Sequence, residues 1–166
     1  MNLDKYTQKS QQSLLAAQQL AQDLNHQAIE PAHLLLALLR DEEGVVPAIV
    51  MKIAGSADAL RGEVQAELDR RSKVYGTAAS QAGLSRPASD ILTAAERYAK
   101  GMRDDYVSTE HILLGLTDAP EGKRLERHGL TKDAILKALQ EVRGSQRVTS
   151  QNPESTYQSL EKYGGV

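Results

Sequence analysis

Ile29-Glu30-Pro31-Ala32-His33-Leu34-Leu35-Leu36-Ala37-Leu38-Leu39 returns later in the chain as Val107-Ser108-Thr109-Glu110-His111-Ile112-Leu113-Leu114-Gly115-Leu116. The two histidines lie 111 − 33 = 78 positions apart. At that offset Ile29 meets Val107, Leu35 meets Leu113, Leu36 meets Leu114 and Leu38 meets Leu116. A fixed internal period of this kind points to duplication of one supersecondary unit. Each string is apolar on almost every side, which predicts a short, central, buried helix in each copy. Pro31 suits a first helical position, where a missing N–H leaves nothing unpaired, so the first of these helices is expected over 31–41 and the second over 109–118.

The flanking sequence supplies the rest of each unit. Leu3, Tyr6, Ser10, Leu14, Ala17, Leu20, Ala21 and Leu24 recur at spacings of three and four, predicting an amphipathic helix over 4–25. Its counterpart over 87–102 aligns Leu14 with Leu92, Ala16 with Ala94, Ala17 with Ala95 and Ala21 with Ala99. After the first central string, Val45 to Ile53 reads as a third helix stopped by Gly55. A fourth helix follows, with Ser56 as N-cap, a stripe of Leu60, Val64 and Leu68, and an end near Arg71. In the second copy, Glu121 to His128 is a short helix ended by Gly129, and Thr131 caps a last helix carrying Ile135, Leu136 and Leu139. Gly129 and Gly55 differ by 129 − 55 = 74, so the second copy is four residues shorter in a turn. The expected organisation is all-α: eight helices in two pseudo-twofold-related repeats over residues 1–143. Repeat one covers 1–71, an aperiodic linker 72–85, and repeat two 86–143. Residues 144–166 read as a polar exit linker, with one more short helix possible over 154–163.

Composition agrees. The 166 residues are 40% hydrophobic and 25% charged, as in a globular domain with a sizeable core. Phe and Trp are absent, so Leu, Ala, Ile and Val build the core, and the Leu/Ala bias favours helix over sheet. With a net charge of −2 and no basic block beside an aromatic platform, nothing suggests nucleic-acid binding. The lack of Cys excludes disulfides, thiolate metal sites and a Cys nucleophile. No apolar h-region opens the chain, and no run reaches the roughly 18–20 residues of a membrane span; a cytoplasmic location is the expectation.

Chemistry-bearing motifs are sparse. Gly122-Lys123 is the only Gly-Lys pair, and Thr117 stands where a phosphate loop needs its first Gly. His26 and His33 are seven apart with Pro31 between them, which suggests a helix break, and no His-Glu-x-x-His pattern occurs. A metal site or hydrolase built on His33, His111 and Glu110 is the competing reading; in the plainer one both histidines bond to backbone or neighbours at the starts of buried helices. Asp104, Asp105 and Glu110 form the most acidic local group of the second copy, and Ile91 and Tyr98 lie on an Ala-rich helix. These two read either as core or as the lining of a groove for an apolar peptide, since Ala94 and Ala95 leave room beside them.

The duplicated unit and its two strings, at 29–39 and 107–116, resemble the Clp amino-terminal repeat domain, which stands in front of the ATPase rings of Clp-family chaperones. The resemblance covers about residues 1–143. The opening Asn2-Leu3-Asp4-Lys5-Tyr6-Thr7 and the segment 154–164 are most similar to the disaggregase branch. The resemblance implies a substrate-recognition domain of an ATP-dependent disaggregase, which binds unfolded or aggregated polypeptide and helps deliver it to the ring. It implies no catalysis and no cofactor in these residues, with ATP and Mg in the parent protein, a homohexameric parent and a partner chaperone of the DnaK type. An adaptor-docking domain of a protease-coupled unfoldase is the alternative within the family. Carried over residue by residue, the implied substrate-binding positions are Thr7, Asp104 and Glu110, with a nearby groove at Ile91, Ala94, Tyr98 and His111. The family has Leu where this chain has Ala94 and His111, so this groove is expected to be less apolar. Asp104, Glu110 and His111 are expected to stand at the entry to the second repeat.

Overall fold

The structure is a computed structural model and describes residues 2–75, 82–144 and 146–153. Eight helices form the first repeat as α1 (Gln8–Asp23), α2 (Pro31–Arg40), α3 (Val45–Ala54) and α4 (Asp58–Arg70), and the second as α5 (Arg86–Gly101), α6 (Thr109–Thr117), α7 (Glu121–Arg127) and α8 (Lys132–Arg143). α1 and α5 are related by the 78-residue offset at both ends. α2 is buried from Pro31 to Leu39 and α6 from Thr109 to Leu116. The two pack against each other, and α1 and α5 flank them. The central helices are therefore the core, as their all-round apolarity requires.

The first helix starts later than its periodicity suggests. Residues 3–5 form a single 3-10 turn, Tyr6 is extended, and Thr7 caps α1 by accepting the Ser10 N–H at 3.1 Å. The reason is tertiary. Tyr6 makes a parallel bridge with Val107, with Thr7 N–H donating to the Val107 carbonyl at 2.9 Å and Val107 N–H to the Lys5 carbonyl at 2.8 Å. The matching segment of the second repeat does the reciprocal thing: Gly83–Leu84 pairs in parallel with Ala28–Ile29. Tyr6 and Leu84, and Ile29 and Val107, are each 78 apart. Each repeat thus lends its leading segment to the other.

The linker is held at both ends. Val74 N–H donates to the Asn25 carbonyl at 2.7 Å, Ala82 is buried, and Gln18 reaches the Ala82 carbonyl at 3.0 Å. The expected helix over 154–163 lies outside the described residues. The segment after α8, expected as a polar exit linker, is docked on the domain over its described part. Val148 is fully buried, and Gln151 contacts the start of α1.

Candidate functional site

Both long helices end alike, and that ending places the polar residues at the centre of each repeat. After α1, Asn25 turns left-handed at φ 58 and the His26 N–H donates to the Ala21 carbonyl at 2.8 Å. After α5, Arg103 does the same at φ 60, with Asp104 N–H on the Ala99 carbonyl at 2.8 Å. This is a Schellman-type stop with a non-glycine residue in the left-handed position. It turns His26 in one repeat, and Asp104 in the other, inward against the first turn of the central helix.

In that first turn each histidine closes a capping box. Glu30 N–H donates to His33 Nδ1 at 2.8 Å, and Ser108 N–H donates to His111 Nδ1 at 2.9 Å. A backbone N–H can only donate, so Nδ1 accepts in both rings and Nε2 carries the hydrogen. His33 Nε2 then donates to His26 Nδ1 at 2.8 Å, and His111 Nε2 to Asp104 Oδ2 at 2.7 Å. The pairs are equivalent by position, at 104 − 26 = 78, and different in chemistry. Burial, together with the neighbouring His26 and Arg71, lowers His33 to about 4. Burial, followed by Arg71, also lowers His26.

Repeat two adds a cation. Arg143 donates to Asp104 Oδ2 at 2.9 Å, and to Glu110 Oε2 through Nε at 3.0 Å and Nη2 at 2.8 Å. Glu110 and His111 are fully buried, and the Asp104 side chain is likewise inaccessible. Burial pushes the Asp104 carboxyl up, but the bonds from His111, the Val148 N–H and Arg143 outweigh it and hold the group below its usual range. Asp104, Glu110 and His111, expected at the entry to the second repeat, are found instead inside the domain, in an ion network with Arg143. Thr7 is also fully buried, as the α1 cap with its hydroxyl on Ser10 Oγ at 3.0 Å.

Ile91 and Ala94 lie elsewhere. They are largely buried on the α5 side of an open groove between α5 and α6, of about 350 Å³, shared with Pro87, Asp90, Arg97, Gly115, Asp118, Ala119 and Pro120. Gly115 lets the helices close on each other, since a Cβ there would sit 2.6 Å from the Ile91 carbonyl oxygen. Tyr98, half-buried, flanks this groove by donating its hydroxyl to Asp118, which Lys132 also holds at 2.8 Å. Burial, then the hydrogen bond to Asp118, raises the Tyr98 phenol. The seven expected residues therefore divide: Ile91, Ala94 and Tyr98 at the groove, and Thr7, Asp104, Glu110 and His111 in the interior.

The proposed grouping of His33, His111 and Glu110 is not assembled, because His33 belongs to the first repeat's pair and the other two to the second repeat's network. Among the described residues no group of three or more His, Asp or Glu side chains is placed to hold a metal ion, and no helix is long and apolar enough to cross a membrane. Sequence reasoning missed Arg143. The signal was available: Ile135, Leu139 and Arg143 share one i, i+4, i+8 stripe, which marks the arginine as facing inward. A second ion cluster joins the repeats. Glu63 on α4 meets Arg127 and His128, each at 2.7 Å, and Arg124 pairs with Glu67.

Compared with known proteins, residues 5–126 match the family model described as the Clp repeat (R) N-terminal domain. The chaperone protein ClpB of Clostridium perfringens is 41% identical over 170 residues, covering 99% of this chain and 20% of the relative. The chain thus spans about a fifth of the length of such curated relatives. Among solved structures, the Hsp104 N-terminal domain from Candida albicans superposes with a TM-score of 0.77 at 24% identity, covering 90% of this chain and 99% of that one. The N-terminal domain of the ClpV1 ATPase of the E. coli EAEC Sci1 T6SS gives 0.74 at 21% identity, with 92% of each chain covered. At these identities the two structures speak for the fold.

Proposed function

Since the chain belongs to the Clp repeat (R) N-terminal domain family, we propose that it is the polypeptide-recognition module of a ClpB-type disaggregase and takes extended segments of unfolded or aggregated protein into the α5–α6 groove. The observation that carries this reading is the groove itself. Its floor is apolar, from Ile91, Ala94, Gly115 and Ala119, and its rim is polar, from Asp90, Arg97 and Asp118. That combination suits a side chain of an extended segment with its backbone running past polar groups. A single shallow groove binds weakly, because the segment gives up conformational entropy when it is ordered. Several tethered copies in one hexameric assembly would offset that by raising the effective concentration. ATP and Mg would act in the remainder of the longer protein, in the cytoplasm, alongside a DnaK-type partner.

The test is a titration of the 166-residue chain with a permanently unfolded model polypeptide, followed by residue-resolved NMR. Shifts concentrated at Ile91, Ala94, Tyr98, Gly115 and Ala119 are expected. Shifts confined to other helices would remove the groove from the reading.

A further inference from the structure

The buried Asp104 network does more than fill the second repeat. Asp104 Oδ2 serves His111 and Arg143, while its other oxygen faces away from them and accepts the Val148 N–H at 2.9 Å. The next residue, Asp105, donates its own N–H to the Val148 carbonyl at 2.7 Å. Val148 is therefore gripped by both backbone groups, with its side chain fully buried. Three residues later the chain touches a second anchor. The Gln151 carbonyl accepts the Gln8 N–H at 2.8 Å, and the Gln151 amide donates to the Asp4 carbonyl at 3.0 Å. Gln8 opens α1, so Gln151 satisfies one of the N–H groups that a helix start leaves unpaired. Thr7, whose N–H is on Val107, sits between these anchors.

We infer that residues 146–153 are a strap latched to the domain by Asp104, and that Asp104, Glu110 and Arg143 are positioning residues for this outgoing segment instead of a surface for polypeptide. Arg143 links the parts: it ends α8, from which the strap departs, and its guanidinium holds the carboxylate on which the strap lands. Glu110 fixes the same guanidinium from α6. Besides Val148 and Gln151, the described strap is held by the Gln146 N–H on the Arg143 carbonyl at 3.2 Å, by the buried Pro153 and by a further interaction of Asn152. Segments attached through few buried contacts open below the global unfolding threshold. Released from Gly144 through Pro153, the strap adds 153 − 143 = 10 residues of free chain, a root-mean-square reach of about 17 Å. The latch therefore sets how far the domain stands from whatever follows it, without altering the groove.

Amide hydrogen exchange of the 166-residue chain tests this, with Gln8, Asp105 and Val148 as strap reporters and Leu35 and Leu113 as core reporters. Limited trypsin digestion after the exposed Arg147 is read alongside. Two variants are compared: Asp104→Ala, which removes the latch, and Val148→Gly, which leaves the ion network intact. In both, the three strap amides are expected to lose protection together by about tenfold or more. Cleavage after Arg147 should accelerate to match; for Val148→Gly, which spares the ion network, Leu35, Leu113 and binding of the unfolded polypeptide should be unchanged. Should Asp104→Ala fail to fold, Val148→Gly decides alone. The inference is overturned if the strap amides of the unaltered chain exchange as in a free peptide, if Val148→Gly leaves them protected, or if in Val148→Gly the core amides open with them. Because the groove titration reads different residues, either result can fail without the other.

Discussion

Gly115 is where the two helices that frame the groove come closest, and alanine there tests the packing directly. The added methyl carbon would lie 2.6 Å from the Ile91 carbonyl oxygen, 3.3 Å from Ile91 Cγ2 and 3.4 Å from the Ala95 nitrogen. An ordinary carbon–oxygen approach is about 3.3 Å, so α5 and α6 must part by about 0.7 Å at this level. The obstacle is backbone, which cannot swing aside. Forcing a methyl into such a packed contact costs about 1–3 kcal/mol, against about 1 kcal/mol gained by replacing a helical glycine. The expected net effect is a loss of up to about 2 kcal/mol. Urea unfolding followed by circular dichroism should show the midpoint falling with an unchanged slope. The internal control is Ala37, which stands 78 residues earlier and keeps its methyl. Ala37→Gly should also destabilise, by about 1 kcal/mol from helix propensity alone. A Gly115→Ala chain more stable than the original by about 1 kcal/mol, the full helix-propensity gain, would refute the close approach and with it the described shape of the groove.

Acid should weaken the whole fold first through the histidine pair of the first repeat. His33, at about 4 in the folded chain, takes up its proton in the unfolded chain near 6.5, so the unfolded state gains as pH falls. Stability should drop from about pH 6.5 to about pH 4 by up to about 3 kcal/mol, measured as the urea midpoint across that window; a flat profile there contradicts the His26–His33 arrangement. Arg143→Met strands the Glu110 and Asp104 carboxylates and should cost about 3–5 kcal/mol. Much of that should return in the Arg143→Met, Glu110→Met double variant, and denaturant midpoints of the three chains check it. Tyr98→Phe removes only a hydroxyl bond near the surface, so a loss of about 1 kcal/mol or less is expected, and a larger drop in melting temperature than about 4 °C would contradict it.

The repeat, the eight helices and the burial of the central pair were legible because each rests on local periodicity and on the echo at 78 residues. The start of α1 was not, since Tyr6 fits the helical stripe yet is claimed by Val107 from a hundred residues away. The candidate site was legible in part. Ile91 and Ala94 line one groove, with Tyr98 at its flank through Asp118, and the small-residue face that shapes it is visible in the sequence. Asp104 and Glu110 looked exposed because carboxylates usually are, and nothing local announces that Arg143 will be folded over them. Val148 was hidden for a similar reason: one apolar residue in a polar, breaker-rich stretch carries no periodic signal, and only the three-dimensional position of Asp104 makes it an anchor.

The reciprocal bridges, Tyr6 to Val107 and Leu84 to Ile29, also bear on how the halves cohere. Neither repeat completes its own edge, and the closing contacts join residues 107 − 6 = 101 and 84 − 29 = 55 positions apart. Such long-range closures come late and at an entropic cost, and they make the halves fold as one cooperative unit instead of two beads on a string. The exchange has the symmetry of an isologous dimer in which each subunit hands the other an identical arm. In this chain the two subunits are consecutive, and the arms that would hold two molecules together hold one molecule closed.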